Sequence, residues 1–183
     1  LFQPWFMKAG NYSLRGRNAV KSGYVQFFDK SREVYYSGAV EIKIHGNATR
    51  SFPQKSLRLI AKESLIENPW GTKVESLILR NGGNTWETTL IGDVIAQTVL
   101  ENSDLMIQRG QPCVLLLNGF YWGIHNIRDR IKASNLAIRF KCSLEDISIW
   151  EDWELDFGNP KRSVDLSDLL KRISNDERIS YKE

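Results

Sequence analysis

Histidine and cysteine are scarce in this sequence, with two of each among 183 residues. Metal centres built from those side chains need ligands grouped at helical or loop spacing, and neither His45 nor His125 belongs to such a group. Each reads as a strand residue engaged in a hydrogen bond. Cys113 and Cys142 show no metal spacing and define no disulfide framework, so they identify no compartment. Cys113 lies in an apolar strand and reads as a buried thiol. Long hydrophobic runs are missing too. The longest apolar block, Val114-Leu115-Leu116-Leu117, is far shorter than the ~20 residues a membrane-spanning helix needs. Charge of one sign is also lacking: 25 Lys and Arg face 22 Asp and Glu, and a net charge of +3 is too slight to point to nucleic acid as a main partner. No Gly-x-Ser-x-Gly turn supports a hydrolase, although triads are assembled in space and sequence order does not exclude one. No repeat at a fixed period is visible. The chain starts without Met or a signal peptide, which reads as a trimmed or mature fragment.

What is present suits a globular protein. An apolar fraction of 42% against 26% charged is enough to build a real core, and 183 residues make one ordinary domain or one large domain with an appendage. The stretch from Ala39 to Ala61 organises the rest. Val40, Ile42 and Ile44 alternate with Glu41, Lys43 and His45, and Leu57 and Leu59 alternate with Ser56, Arg58 and Ile60. That period of two predicts two half-buried strands. The loop between them, Gly46 to Gln54, is small and polar, carries Arg50 and leads into Lys55. Backbone N–H groups beside an Arg and a Lys form a plausible anion cradle. Spacing alone favours an ordinary hairpin with solvated basic residues.

Elsewhere, Leu1 to Asn18 reads as a loop-rich lead-in with one short strand, and Val20 to Phe28 as a strand turning at Asp29-Lys30-Ser31-Arg32. Glu33 to Tyr36 starts the return and Gly38 marks a bend. Ala61 to Thr72 reads as a linker. Ser76 to Leu79 is a buried strand ending in the glycine turn Arg80 to Asn84. Trp86 to Glu101 is the first helix, capped by Thr85, with Leu90, Val94, Ile95 and Val99 at helical spacing. Pro112 to Leu117 is expected as a central strand. Asn118-Gly119 is the strongest hairpin turn signal, and Tyr121 to Ile127 returns antiparallel. Arg128 to Phe140 is expected as a basic helix, Ile147 to Trp150 as a short strand, Glu151 to Arg162 as an acidic loop, and Ser163 to Asn175 as an amphipathic helix capped by Ser163 or Asp165. His125 to Asp129 followed by Asp156-Phe157-Gly158 imitates the catalytic elements of ordinary protein kinases. The internal spacing departs from that signature, so the match is mostly coincidence.

Three segments together resemble the spore coat protein H (CotH) kinase-like family of atypical protein kinases. Ile44 to Ser56 (IHGNATRSFPQKS) is similar to that family's G-x-S-x-R-x-x-P-K-K-S element. Leu79-Arg80-Asn81-Gly82-Gly83 precedes a helix as it does in the family. Leu117 to Asp129 (LNGFYWGIHNIRD) is similar to N-G-E-Y-W-G-x-Y-x-x-R-E. The resemblance implies an α+β fold, atypical protein-kinase-like, with a mostly antiparallel sheet and two or three packed helices. It would be a single domain: lead-in at 1–35, nucleotide-binding core at 36–140 and the start of a second lobe at 141–183. It implies ATP-dependent phosphorylation of protein Ser/Thr hydroxyls with a magnesium ion, a protein substrate, and a spore-coat or secreted, envelope-associated setting. By this resemblance Lys55 would hold nucleotide phosphates, Arg50 and its loop would cover them, and Arg80 would add a cation or pair with a carboxylate. Asn126 and Asp129 would lie on the nucleotide-facing connection between lobes.

The sequence departs from the family in several places. Gly92-Asp93 keeps the acid of an Arg-Asp pair and loses the arginine, Phe120 replaces an acidic residue, and Asp129 stands where glutamate is usual. The family's catalytic and metal-binding acids lie in later elements, an N-x-D-W-like stretch and a W-D-x-D element. Trp153 to Gly158 is superficially similar to the second but sits too early to carry a metal role. The expectation is therefore the phosphate-binding half of a kinase, inactive as this fragment. The alternative is a non-catalytic surface-assembly or binding module on the same fold.

Overall fold

The computed structural model describes residues 14–103, 105–151 and 154–175. The chain divides into two compact units, Leu1–Ile131 and Lys132–Glu183. The first is built on a six-stranded, wholly antiparallel sheet, consistent with the expected mostly antiparallel α+β architecture. Its strands are β1 (Lys21–Phe28), β2 (Val34–His45), β3 (Ser56–Ala61), β6 (Ser76–Arg80), β7 (Gly110–Leu117) and β8 (Phe120–Asp129). They lie in the order β1-β2-β3-β6-β8-β7. Two short strands, β4 (Ile66–Glu67) and β5 (Lys73–Val74), form a separate ladder.

The alternation along β2 and β3 does what its period requires. Register pairs Ile44 with Leu57, Ile42 with Leu59, Leu57 with Leu79 and Leu59 with Leu77. One face of the sheet is therefore aliphatic, and Val40, Leu59, Leu77 and Ile127 are buried in its core. Ile66 and Val74, fully buried on β4 and β5, belong to the same core. The segment expected as a linker thus carries one strand of a small ladder whose partner directly follows it, which isolated apolar residues without a period did not announce.

Other differences have local causes. Gly38 does not break β2, which runs unbroken from Val34 to His45, because β1 pairs across it, with Val25 opposite Gly38. β7 is an edge strand rather than a central one, where Pro112 costs no ladder hydrogen bond on the open side. β8 extends to Asp129, so Arg128 and Asp129 are strand residues, and the following helix α2 is only Ala133–Phe140. The helix expected from Trp86 shrinks to α1 (Gly92–Val99). Thr85 O accepts from the N–H groups of Thr88, Thr89 and Leu90, and Leu90 takes a positive φ of 54°, so residues 85–90 are consecutive turns. Thr89 Oγ1 then accepts from Gly92 N at the helix start.

In the second unit, α2 is followed by a short 3-10 helix, Leu144–Asp146, with a capping box at Ser143. A two-stranded ladder joins β9 (Ile149–Glu151) and β10 (Glu154–Phe157), the latter within the expected acidic loop, and α3 (Arg162–Ser174) follows. Asp156 and Phe157 are thus strand residues. Residues 1–13 of the expected lead-in and Trp153 lie outside the described residues; the described part of the lead-in ends in a 3-10 helix, Arg17–Ala19.

Candidate functional site

The three sequence elements, which span Ile44 to Asp129, meet at one end of the sheet. After β2 the chain turns through a 3-10 helix, Ala48–Ser51, and Arg50 folds back so that Nη1 donates to Ile44 O and Nη2 to Leu14 O, both at 2.8 Å. Lys55 Nζ donates to Arg50 O at 2.7 Å and to Phe52 O. Lys55 thus satisfies two carbonyls of the tight loop itself, while Arg50 ties the loop to the end of β2 and to Leu14. Phe52 packs on Trp86, with ring centroids 5.3 Å apart.

Asn81, wholly buried, ties this loop to the glycine turn. Its Nδ2 donates to Gln54 O at 2.6 Å, and its Oδ1 accepts from Ser56 Oγ at 2.7 Å and from Gly83 N at 3.1 Å. Gln54 reaches the third element: Nε2 donates to Ile124 O at 2.8 Å and lies 3.2 Å from His125 Nδ1. That contact makes Nδ1 the acceptor, so Nε2 carries the proton and donates to Lys55 O at 3.0 Å. Burial lowers the His125 pKa, outweighing its backbone hydrogen bonds, and the ring is neutral. Gly123, at φ 107°, is required here, because a Cβ would meet the Gln54 amide at 2.7 Å.

The face of the sheet opposite the aliphatic core gathers positive charge. Register sets Lys43 beside Arg58, Arg58 beside Ile78 and Ile78 beside Arg128, so one row across four strands carries three cations. One step along, Arg80 stands beside Asn126. Asp93, in the first turn of α1, answers part of this charge. Its Oδ2 receives Arg128 Nη1 at 2.5 Å and lies 2.9 Å from Arg80 Nε. The Arg80 contact is charge pairing rather than a hydrogen bond, since Nε finds no aligned acceptor. Arg128 is 1% exposed and also donates from Nη2 to Gln108 O. Burial lowers its pKa, and Asp93 counters by favouring the charged form.

Lys43 and Arg58 have no such answer. Among the described residues no carboxylate pairs with either, and the Arg58 Nε is buried without an acceptor. Burial lowers the pKa of both, and then repulsion does: Arg58, Arg130 and Arg50 act on Lys43, and Arg130 acts on Arg58. His45, on the same face, is pushed down to about 4, first by burial and then by the positive charges of Arg80, Arg130, Arg58 and Lys43. It is therefore neutral at pH 7. Mutual repulsion among half-buried cations is the arrangement an anion relieves.

The residues expected from the resemblance separate into three places. Arg80 and Asn126 lie on the cationic face, where Asn126 Nδ2 donates to Leu90 O at 2.7 Å and its Oδ1 is buried without a partner. Arg50 and Lys55 belong to the loop end and direct their side chains to backbone carbonyls, Lys55 to those of the loop and Arg50 to Ile44 and Leu14. Asp129 shares the aliphatic side with Leu77; there it accepts from Arg109 Nε at 2.9 Å and from Asn68 Nδ2 at 3.2 Å, with Arg109 stacked 5.0 Å over Trp70. Lys43, His45, Arg58, Arg128 and Arg130 were not singled out from the sequence. For the four on strands the signal was the polar phase of the period-two alternation, legible once the aliphatic phase is assigned to the core; Arg130 follows the end of β8. Among the described residues no group of three or more His, Cys, Asp or Glu gathers to hold a metal ion. Among the described residues no helix is long and apolar enough to cross a membrane.

Comparison with known families matches the one described as CotH kinase protein over residues 42–175. That span covers all three sequence elements and the cationic face. No curated protein matches the chain.

Proposed function

The chain belongs to the CotH kinase protein family, and from that premise we propose that its sheet is the phosphate-binding part of an atypical protein kinase, using ATP with magnesium to phosphorylate Ser/Thr hydroxyls of a protein substrate. The observation that carries this reading is the pairing of Lys43 with Arg58 on a half-buried face, without a carboxylate for either among the described residues. Phosphoryl transfer needs little covalent chemistry from the protein; it needs positioned positive charge on the β and γ oxygens. The donors on this face fit a polyphosphate. Lys43 and Arg58 would meet its oxygens, Arg80 would approach from the glycine turn, and Asp93 would keep Arg80 and Arg128 in place. The described residues fit magnesium less well, since no carboxylate cluster gathers to ligate it, and no role is assigned through the metal. Lys55 and Arg50 would act indirectly, by holding the shape of the loop beside the phosphates.

Titration calorimetry with ATP and magnesium, run beside radiolabel transfer from ATP to protein, tests the reading. Arg58→Ala should weaken ATP binding at least tenfold in a protein that melts like the parent. Unchanged binding by that variant removes the face from nucleotide recognition. A second reading, a binding module without catalysis on the same fold, draws on Lys55 and Arg50 being spent on backbone carbonyls. Well-folded protein with no saturable ATP binding would favour it.

A further inference from the structure

Asp93 answers more charge than it carries. Arg80 and Arg128 both address one of its oxygens, Oδ2, so a single carboxylate stands between two guanidinium groups. The two arginines are held very differently. Arg128 is buried, donates from Nη1 to Asp93 and from Nη2 to Gln108 O, and packs its stem on Gly110, where a Cβ would meet its Cδ at 2.8 Å. It has no room to leave. The Arg80 side chain is 34% exposed and approaches Asp93 through Nε, at 2.9 Å and without hydrogen-bond alignment. Its guanidinium lies over Gly83, and a Cβ there would collide with it. The glycine turn thus leaves the Arg80 head group space that any other residue would fill.

The register partner of Arg80 supplies a second observation. Arg80 stands opposite Asn126 across β6 and β8. Asn126 is buried, spends its Nδ2 on Leu90 O at 2.7 Å, and keeps its Oδ1 buried with no donor. Arg80 Nε is buried with no acceptor. A buried donor and a buried acceptor, each unanswered on residues paired in one ladder, carry a cost that one bond between them would recover. The Cβ atoms of such a pair stand about 5 Å apart, well within the reach of an arginine. At rest that bond is forgone, because the charge of Asp93 holds the guanidinium to itself.

An anion on the cationic face changes the balance. Lys43 and Arg58 lie in the row that continues to Ile78 and Arg128, and Arg80 lies two residues beyond Ile78, about 7 Å along the strand. Its charge already acts on this side of the sheet, foremost among the positive charges that lower the His45 pKa. One phosphate answers the row of Lys43 and Arg58. A chain of phosphates reaches the next row as well, where Arg80 is the cation not fully committed.

We propose that Arg80 is a two-position arginine that selects for the length of a phosphate chain. At rest it pairs with Asp93; a polyphosphate draws it over, so that Nε donates to Asn126 Oδ1 and the Nη edge takes the terminal phosphate. Arg128 stays behind and keeps the Asp93 carboxylate paired. This exchange, which rests on the reading of the face as a phosphate site, names the cation that meets the end of the chain.

The probes are inorganic tripolyphosphate and pyrophosphate, titrated calorimetrically into the full chain without added metal. The parent should bind tripolyphosphate at least tenfold more tightly than pyrophosphate. Arg80→Met should lose at least tenfold in tripolyphosphate affinity and less than threefold in pyrophosphate affinity, so that discrimination collapses. Arg80→Lys keeps the charge but has no Nε to place on Asn126, and should recover no more than threefold of the loss. Nitrogen NMR on the unaltered protein decides the matter even where a variant fails to fold: the Arg80 Nε–H signal should shift on adding tripolyphosphate while that of Arg128 stays in place. Equal parent affinity for the two probes, unchanged discrimination in a folded Arg80→Met protein, full recovery by lysine, or an unmoved Arg80 signal overturns the exchange and leaves the face a phosphate site. No saturable binding of tripolyphosphate by the parent overturns the exchange and the phosphate reading together.

Discussion

Two groups of cations on the same sheet have opposite fates. At its loop end, Arg50 and Lys55 reach four backbone carbonyls within 2.8 Å and close a turn. In mid-sheet, Lys43 and Arg58 face each other across β2 and β3 and no described carboxylate neutralises them. The residue types are the same, so charge alone does not identify a ligand site. What lies within reach of the charge does. A lysine whose amine is satisfied by its own loop contributes to stability, and one held half-buried beside another cation stores repulsion that only an anion can relieve.

The sharpest way to break this contrast is to remove the hub of the loop end. Asn81→Ala deletes an amide that makes three hydrogen bonds in a fully buried place, and should cost about 3 kcal/mol in urea unfolding. Stability equal to the parent would show that the three sequence elements meet without depending on one another. Next, Lys55→Met keeps the aliphatic stem and drops the amine; it should cost about 2 kcal/mol in stability and change ATP affinity less than threefold once folded. Arg58→Met should do the reverse, losing about 1.4 kcal/mol of ATP affinity, a factor of ten, with thermal stability held or raised. If the two variants exchange these effects, the assignment of the two regions is wrong.

A smaller effect comes from His45. Its folded pKa, about 4, lies below the ordinary 6.5, so the unfolded chain binds a proton the folded chain refuses between those values. Stability is therefore complete above the ordinary value and falls as pH drops toward the folded one. Solvent screening at this half-buried site holds the loss to about 1 kcal/mol between about pH 7 and pH 5. His45→Asn should flatten part of that slope, and the remainder belongs to His125, whose pKa is also lowered. Bound polyphosphate should reduce the His45 share by offsetting the surrounding positive charge. A pH slope identical in His45→Asn would detach His45 from the cationic face. The mildest expectation is Lys43→Gln, which removes one repelling charge and should gain a few tenths of a kcal/mol in melting experiments at low salt.

Much of the first unit was legible before any coordinates. The alternation of Val40, Ile42 and Ile44 with Glu41, Lys43 and His45 encodes a strand with one wet face, and Asn118-Gly119 encodes a tight turn through its two positive φ values of 52° and 82°. The helix expected from Trp86 misled because Leu90 fits a helical period yet sits at positive φ, a backbone choice made by the glycine turn it packs against. Arg128 and Asp129 misled for a similar reason. They follow a strand in a stretch rich in charge, and pairing with β6 and β7 extends that strand over them. The family resemblance drew attention to Lys55 and Arg50, which the loop consumes, and passed over Lys43 and Arg58, whose meaning depends on each other.

Period and turn chemistry act over a few residues, so the order of residues alone carried the strands, the hairpins and the family to which the chain belongs. Which cations meet, and on which side, is set by register between strands distant in sequence: β3 with β6, β6 with β8, and a helix that brings Asp93 to Arg80 and Arg128. Those pairings follow from burying the aliphatic phase of every strand on one side at once. The polar phase is then forced onto the other side, and there the unanswered charge collects.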